Sequence, residues 1–213
     1  AAARPGFRAQ PLADIKANLD LDNTIRRSSS NNVIAVIPGT KRPGEVIIYT
    51  AHWDHLGTNP GIAGDNIYNG AQDNATGTAG LLSLAQLFSQ LPEPPERSVA
   101  FLAVTAEESG LLGSQWYGEN PLFPLATTVA NINMDGLNVY GPMRDVVVVG
   151  YGNSELEDYL RDAVALQPGR YVAAEPHPQR GYYYRSDHFN FARQGVPALY
   201  AESGEDSFEH GRQ

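Results

Sequence analysis

Acidic and imidazole side chains of this sequence stand directly after its apolar runs, at spacings that suit a metal site. His52 and Asp54 follow an apolar run that ends at residue 50, and in an extended segment both side chains point to the same face. Such an imidazole can bind a metal through one ring nitrogen while the carboxylate orients it through the other. His-x-Asp alone is a weak indication, because histidines at strand ends are more often surface residues.

Three further positions repeat this arrangement. Asp73 precedes a predicted helix, while the adjacent Glu107 and Glu108, and later Asp135, each follow an apolar run. Neighbouring side chains leave the backbone in different directions, so one glutamate could bind a metal while the other faces the reacting water. Helix capping, the helix dipole and a turn are the ordinary explanations of these residues. Gathered at one edge of a sheet, however, so many acids would repel one another unless a cation neutralised them.

The elements that must position these residues follow from the apolar pattern. Predicted strands lie at 33–37, 46–50, 99–105, 128–133, 146–149 and 198–200, and predicted helices at 76–90, 110–117, 154–166 and 187–193. The strand segments are rich in valine and isoleucine and mostly continuous, as expected of strands covered on both faces. This alternation predicts an α/β sandwich with a mixed or largely parallel sheet, whose ligands gather where the strands end.

The composition excludes several classes of protein. The 213 residues include 15 lysines and arginines against 24 acids, and the resulting formal charge of −9 disfavours binding to nucleic acid or to an anionic membrane surface. No apolar run approaches the roughly 18 residues needed to cross a bilayer. Because cysteine is absent, thiolate zinc sites and thiol nucleophiles are excluded, and a metal must use His, Asp or Glu. The length and the 42 % hydrophobic content predict one globular domain.

Five segments, in their order and spacing, resemble the M28 family of co-catalytic zinc aminopeptidases. They are AHWD at 51–54, GAQDNATG at 70–77, TAEESGLLGS at 105–114, NMD at 133–135 and SDH at 186–188. The resemblance covers residues 32–204 and implies the three-layer α/β/α sandwich of zinc exopeptidases, with a mixed, largely parallel sheet. It also implies an extracytoplasmic enzyme, periplasmic or secreted, that removes N-terminal residues from peptides.

The resemblance assigns roles to individual residues. It implies two Zn²⁺ ions, with His52 and Asp135 on one, Glu108 on the other, and Asp73 bridging both. Glu107 matches the general base that activates water. No other cofactor is implied, and the oligomeric state stays open.

Four residues are expected to support this site. Asp54 matches the carboxylate that orients His52, and Tyr183 matches a tyrosine that lines the site in some family members and helps to stabilise the tetrahedral intermediate. Ser186 and Asp187 are expected to support the metal pocket, with helix capping as the alternative. The adjacent serine, aspartate and histidine at 186–188 do not predict a catalytic triad, because neighbours in sequence cannot converge on one proton path.

Two expectations concern the ends of the chain. The family has a last zinc histidine after the strand that here ends near residues 200–203, and His210 is the only histidine in that region. Its context does not match, so the ligand is either His210 or, as the family's further helix favours, a residue beyond Gln213. Residues 1–31 are expected to be a lead-in that returns from an inserted domain, and 32–213 a catalytic domain cut short at its C-terminal end.

Two other functions remain as alternatives. A glutaminyl cyclase shares the fold but uses one zinc ion, and a binding module of the transferrin-receptor kind keeps the fold without metal. The retained ligand positions argue against the module. The number of zinc ions per chain separates the three hypotheses, with about two for the peptidase, one for the cyclase and none for the module.

Overall fold

A computed structural model describes residues 15–25 and 27–212, together with Gly6 and Arg8. Its strands are β1 (Val33–Ile37), β2 (Arg42–His52), β3 (Gly57–Thr58), β4 (Ile67–Tyr68), β5 (Arg97–Val104), β6 (Thr128–Asn133), β7 (Asp145–Val148), β8 (Tyr171–Ala174), β9 (Ala198–Ser203), β10 (Asp206–Ser207) and β11 (Gly211–Arg212). Its α-helices are α1 (Ala75–Ser89), α2 (Leu112–Glu119), α3 (Leu156–Ala165) and α4 (His188–Ala192). Short 3₁₀ turns lie at Leu125–Thr127, Pro178–Arg180 and Tyr182–Tyr184.

Seven strands form one sheet in the order β1-β5-β2-β6-β9-β7-β8. The four central strands β5, β2, β6 and β9 run parallel to one another. At one side β1 pairs antiparallel with β5, and at the other β7 pairs antiparallel with β9 and parallel with β8. The predicted mixed, largely parallel sheet is therefore confirmed.

Apolar side chains cover both faces of the central strands. On one face, Ile48 and Leu102 pack in a cluster with Tyr117 of α2 and Phe191 of α4. On the other face, Phe101 packs in a cluster that includes side chains of α1. Burial on both faces explains why these strands read as continuous apolar runs. The three-layer α/β/α arrangement is confirmed.

The boundaries of the elements agree closely with the sequence pattern. The predicted strands 33–37 and 128–133 coincide with β1 and β6, and each of the four predicted helices has a counterpart within two residues at either end. Strand β2 is longer than predicted, because Arg42 also pairs with Arg97 of β5 ahead of a register irregularity. Strand β8 and the two short hairpins β3–β4 and β10–β11 were not predicted.

The parallel strands bring their carboxyl ends to one edge of the sheet. His52 is the last residue of β2, and the loops that carry Glu107 and Asp135 begin where β5 and β6 end. Helix α1 starts at the same edge, since the Thr78 hydroxyl donates a hydrogen bond to the His52 carbonyl at 3.1 Å. None of the helices in the described part of the chain is both long and apolar enough to span a membrane.

Candidate metal centre

The first donor group consists of His52, Asp73 and Asp135. His52 Nε2 lies 3.0 Å from Asp73 Oδ1 and 3.1 Å from Asp135 Oδ1. His52 is almost completely buried, while the Asp73 side chain is 54 % exposed. The end of β2, the start of α1 and the loop after β6 thus each supply one donor, and the three donor atoms lie within 4.8 Å of one another.

A chain of buried hydrogen bonds holds Asp135 in this group. The Ser186 hydroxyl donates to Asp135 Oδ2 at 2.6 Å and accepts a hydrogen bond from Asn133 Nδ2 at 2.7 Å. Thr50 in turn donates to Asn133 Oδ1 at 2.7 Å and accepts from Asn131 Nδ2 at 3.1 Å. Ser186, named from the sequence as a supporting residue, therefore lies in direct contact with a proposed ligand. The connection to Thr50 and Asn131 was not foreseen.

The ring of His52 is oriented by Asp54, but not through the carboxylate as expected. His52 Nδ1 hydrogen-bonds to the backbone carbonyl of Asp54 at 3.0 Å, whereas the carboxylate Oδ1 lies 3.8 Å away. The Asp54 carboxylate instead accepts hydrogen bonds from the backbone amides of Glu107, at 3.1 Å, and Glu108, at 3.4 Å. Asp54 therefore joins the end of β2 to the glutamate loop, because its carbonyl contacts His52 and its carboxylate contacts the amides of Glu107 and Glu108.

The turn into α1 is fixed by Asn74, the N-cap residue. Its Oδ1 accepts hydrogen bonds from the amides of Gly77, at 2.9 Å, and Gly136, at 3.2 Å, while its Nδ2 donates to the Met134 carbonyl at 3.0 Å. Gly77 must lack a side chain here, since a Cβ would lie 2.4 Å from Asn74 Oδ1 and 2.5 Å from the Met134 carbonyl oxygen. The helix cap thereby ties the Asp73 turn to the loop that carries Asp135.

The glutamate pair lies in a tightly turned loop between β5 and α2. Ala106 and Leu111, on either side of the pair, adopt left-handed backbone conformations with φ of 54° and 62°. Burial raises the pKa of Glu107 to about 8, and the charges of Asp187, Asp135 and Glu108 act in the same direction against that of His52. An acid with this pKa suits the acceptance and return of a proton near neutral pH.

The electrostatics of the first donor group favour positive charge at the site. Burial by itself would lower the pKa of His52, but the hydrogen bond and charge of Asp135, with the charges of Glu107 and Asp187, raise it to about 10. Burial opposes ionisation of Asp135, yet hydrogen bonds from His52 and Ser186 hold its pKa below the usual range. In the metal-free protein an imidazolium supplies the positive charge that these carboxylates attract. A divalent cation would satisfy the same need.

A second donor group consists of His55, Asp73 and Glu108. His55 Nδ1 lies 2.6 Å from Glu108 Oε1, and both side chains are about one-fifth exposed. Asp73 belongs to both groups, as expected of a bridging carboxylate. His55 was not among the residues predicted for the site, because the sequence pattern drew attention only to the first histidine of the 51–57 segment.

Both donor groups fit a zinc ion by their chemistry. Zn²⁺ in proteins binds imidazole nitrogen and carboxylate oxygen, and both groups consist of one histidine and two acids. In the second group, His55 Nδ1 and Glu108 Oε1 face each other at 2.6 Å. The side chains present can therefore hold the metal that the sequence pattern implied.

Asp187 and His188 lie buried at the start of α4. Burial raises the pKa of Asp187 to about 7, and a hydrogen bond with Ser114 opposes this shift. Burial lowers the pKa of His188 to about 4, so its ring is neutral near pH 7. Asp187 also contributes to the electrostatic field at His52 and Glu107.

Tyr183 lies beside His188. Its ring meets those of His188, at a centroid distance of 5.0 Å, and Phe189, at 5.9 Å, nearly edge to face. It also packs on Gly150, where a Cβ would fall 2.1 Å from the tyrosine ring. Tyr200, which the sequence reasoning missed, packs on the other side of His188 with centroids 5.0 Å apart. These contacts describe how Tyr183 packs, and its role in stabilising the tetrahedral intermediate stays a prediction.

His210 does not join the two donor groups. It lies between β10 and β11 with its side chain 65 % exposed, and its Nε2 is 3.6 Å from the carboxylate of the adjacent Glu209. Of the two alternatives for the last family histidine, His210 is therefore not the one that this structure brings to the site.

Comparison with known proteins decides the family. A family model described as peptidase family M28 matches residues 32–212. The chain belongs to this family. The resemblance noted in the sequence motifs is thereby confirmed, and with it the prediction of a hydrolase of the peptidase M28 family.

Relatives and solved structures give the same picture of the fold. The aminopeptidase NAALADL1 of Mus musculus is 32 % identical over 138 residues, which are 62 % of this chain and 17 % of that protein. The aminopeptidase from Aneurinibacillus sp. strain AM-1 matches with a TM-score of 0.63 and 25 % identity over 81 % of this chain and 39 % of its own. A glutaminyl cyclase from Bacteroides thetaiotaomicron matches with a TM-score of 0.58 and 20 % identity over 85 % of this chain and 66 % of its own. The chain spans less than two thirds of each of these proteins.

Proposed function

We propose that this chain is the catalytic part of a zinc-dependent aminopeptidase. The observation that carries the proposal is the pair of donor groups that share Asp73 at the carboxyl edge of the parallel strands, with Glu107 beside them. Membership of peptidase family M28 and similarity to proteins named aminopeptidases support the reaction class. Peptides with a free N-terminus are the proposed substrates.

The proposed metal ligands are the residues that the sequence pattern named. His52 and Asp135 would hold one Zn²⁺, Glu108 would hold the other, and Asp73 would bridge the two. When bound, zinc polarises the substrate carbonyl and lowers the pKa of a water molecule towards about 7. The count of two ions rests on the presence of two overlapping donor groups.

Glu107 is the proposed general base. Its carboxylate lies in the field of His52 and Asp135, and its backbone amide is fixed by the hydrogen bond to Asp54. Glu107 would accept the proton of the attacking water and then return it to the nitrogen of the departing amine, so that the peptide bond breaks with no net change in the protein.

Asp54 and Ser186 have supporting roles in this proposal. Asp54 keeps the amides of Glu107 and Glu108 at the end of β2, and Ser186 holds the carboxylate of Asp135 towards His52. Asp187 acts at a distance, because its buried carboxyl favours protons and cations on the neighbouring residues. These residues align the ligands without contacting the substrate.

The proposal extends to location and domain organisation on the strength of the family resemblance. We place the enzyme outside the cytoplasm, in the periplasm or secreted. We also propose that residues 32–213 are catalytic and that residues 1–31 lead into them from an inserted domain. The location can be tested by fusing the enzyme, with its natural flanking sequence, to a reporter that is active only outside the cytoplasm. Reporter activity supports the proposed location.

A panel of aminoacyl chromogenic amides, assayed with and without a chelator, tests the activity. We expect chelator-sensitive release of the chromophore from at least one amide, restored by added Zn²⁺. If none of the amides is cleaved in a chelator-sensitive manner, the aminopeptidase proposal is wrong.

The substitution Glu107→Gln tests the general base. The amide cannot accept the proton, so turnover should fall by about 10²- to 10⁴-fold while the zinc content stays unchanged. Glu93→Gln, at an exposed position in the loop before β5, is the matched control and should keep full activity. Undiminished turnover in Glu107→Gln would remove Glu107 from the role of base.

Zinc analysis of the same samples separates the alternatives. About two ions per chain support the peptidase, and a single ion together with cyclisation of N-terminal glutamine supports a glutaminyl cyclase. Protein that binds no zinc at any concentration tested supports a metal-free binding module. The structural match to a glutaminyl cyclase makes the cyclisation assay a necessary part of the experiment.

A further inference from the structure

The loop that carries Glu107 is tied together at its two ends by one side chain, that of Asn32. Asn32 Oδ1 accepts a hydrogen bond from the Thr105 amide at 3.1 Å, and its Nδ2 donates to the Gly113 carbonyl at 2.8 Å. Thr105 follows the last residue of β5, and Gly113 lies in the first turn of α2. A single side chain, one residue before β1, therefore bridges the start and the end of the 105–113 loop.

The two ends of the loop approach each other closely at this point. The Gly113 amide donates to the Thr105 carbonyl at 2.9 Å, and the Leu112 amide donates to the Ala106 carbonyl at 3.0 Å. A Cβ on Gly113 would clash with the Thr105 carbonyl oxygen and lie 2.6 Å from Asn32 Oδ1. The absence of a side chain at Gly113 therefore gives the Asn32 amide the room to reach both backbone segments.

The conformation of this loop needs support from outside. Ala106 and Leu111 have positive φ angles, of 54° and 62°, which residues with a side chain rarely adopt. Such conformations persist only where the surrounding structure fixes them. In the middle of the loop, the Asp54 carboxylate does so by accepting hydrogen bonds from the amides of the two glutamates. At the ends of the loop, Asn32 supplies the corresponding contacts.

The two residues before Asn32 contact the same edge of the sheet. The hydroxyls of Ser30 and Thr105 form a hydrogen bond at 2.7 Å, and Trp53 Nε1 donates to the backbone carbonyl of Asn31 at 3.2 Å. Residues 30–32 therefore lie against the segments that follow both β2 and β5. Asn31 is exposed and takes part through its backbone, whereas Asn32 takes part through its side chain.

We infer that Asn32 is a positioning residue for the general base, because it holds both ends of the loop that presents Glu107. The inference rests on the proposed function, in which Glu107 accepts and returns the proton. A base must lie within hydrogen-bond distance of the water that it activates, and a displacement of about 1 Å can cost about 100-fold in rate. Asn32 acts through the backbone of the loop, and it lies outside the five sequence motifs.

Steady-state kinetics of Asn32→Ala test this inference. With a cleaved chromogenic amide and saturating Zn²⁺, we expect kcat to fall by about 10- to 100-fold, because the base is displaced. KM should change by less than about 3-fold, since uniform binding of the substrate is retained. Asn31→Ala, at the adjacent exposed asparagine, is the matched control and should keep the wild-type kcat. An unchanged kcat in Asn32→Ala would overturn the inference.

Hydrogen exchange measures the loop independently of activity. The amides of residues 110–113 donate to carbonyls of residues 105–107, so their exchange reports opening of the loop. In chelated protein we expect these amides to exchange at least about 5-fold faster in Asn32→Ala than in wild type, since each of the two lost hydrogen bonds contributes a factor of roughly 2 to 10. Asn31→Ala should exchange like wild type. Equal exchange in Asn32→Ala and wild type would contradict the inference.

Two further variants distinguish positioning of the base from general support of the fold. If Asn32 acts through Glu107, the double variant Asn32→Ala/Glu107→Gln should have the kcat of Glu107→Gln alone, within about 2-fold. A further fall as large as that caused by Asn32→Ala in the wild type would overturn the inference. Asn32→Asp keeps the acceptor for the Thr105 amide but loses the donor to the Gly113 carbonyl, so its kcat should also fall. A wild-type kcat in Asn32→Asp would show that the bridge between the two ends has no role.

Failure of the inference and failure of the proposed function give different results. If the wild type is active and Asn32→Ala keeps its kcat or its slow loop exchange, Asn32 does not position the base, while the zinc enzyme stands. If the wild type cleaves no amide in a chelator-sensitive manner, the proposed function fails. The inference then fails with it, even where Asn32→Ala speeds the exchange of the loop.

Discussion

The two donor groups differ in how the protein holds them. In the first, His52 is 1 % exposed, its two ring nitrogens each have a partner, and Asp135 is fixed by Ser186. In the second, His55 and Glu108 are more exposed, and His55 Nδ1 lies 2.6 Å from Glu108 Oε1. The first group is thus held by hydrogen bonds from the residues around it, whereas the second is held by the contact between two of its own members.

Substitution of the shared residue should have the largest effect. Asp73→Asn removes the negative charge that both groups use, so we expect zinc content to fall from about two ions per chain to nearly none and chelator-sensitive activity to disappear. Elemental analysis and the amide assay measure both quantities. Asp162→Asn, on the exposed side of α3, should change neither. One fully bound ion in Asp73→Asn would show that the groups do not share this carboxylate.

Substitution of Ser186 should weaken the first group alone. Ser186→Ala leaves Asp135 Oδ2 and Asn133 Nδ2 without their partner, and loss of such an outer hydrogen bond typically costs 10- to 100-fold in metal affinity. Zinc titration should therefore show a raised Kd for one ion and an unchanged Kd for the other. The control Ser89→Ala, at the exposed end of α1, should leave both Kd values unchanged. An equal rise in the Kd of both ions would contradict the proposed difference between the groups.

The pH dependence of stability should show the smallest effect and should depend on zinc. The pKa values of Glu107 and His52 rise on folding from 4.5 to about 8 and from 6.5 to about 10. The folded protein therefore holds these protons more tightly, and their contribution to stability is complete below the unfolded values and is lost as the pH rises through the folded ones. Chelated protein should unfold at progressively lower temperature between about pH 6.5 and pH 9.

Zinc should flatten this decline, because the cation replaces the protons as the partner of the carboxylates. Glu107→Gln should also flatten it in the chelated protein, since the amide does not titrate. Thermal unfolding followed by circular dichroism across this pH range measures both effects. A melting temperature of chelated wild type that increases with pH over the same interval would contradict the assigned direction.

Much of the fold was predictable, since burial on both faces leaves a strong pattern. The central strands are long apolar runs with clear ends, and the turn after each run placed His52, Glu107 and Asp135 at one edge. Strand β8, Tyr171–Ala174, was missed because its four residues carry no distinctive pattern at all and are identified only by pairing with β7.

The site was predictable where residue type decided the role, and not where tertiary contacts did. His55 meets Glu108 at 2.6 Å, with Gly70 and Tyr68 packed close to it, and no spacing in the sequence reveals this contact. Likewise, Asp54 contacts the ring of His52 through its carbonyl because its carboxylate is bound to the amide of Glu107, and this depends on where the glutamate loop lies. Such assignments require coordinates, because they depend on distances between segments far apart in sequence.

The order of the central strands has a consequence for the synthesis of the protein. Neighbours in β5-β2-β6-β9 are separated along the chain by dozens of residues, and their pairing is non-local. Until this pairing is complete, the future ligands are scattered carboxylates and imidazoles with little affinity for Zn²⁺. Bound zinc therefore reports that the central strands of a molecule have paired, so the zinc content of a preparation sets a minimum for the fraction of molecules that have folded.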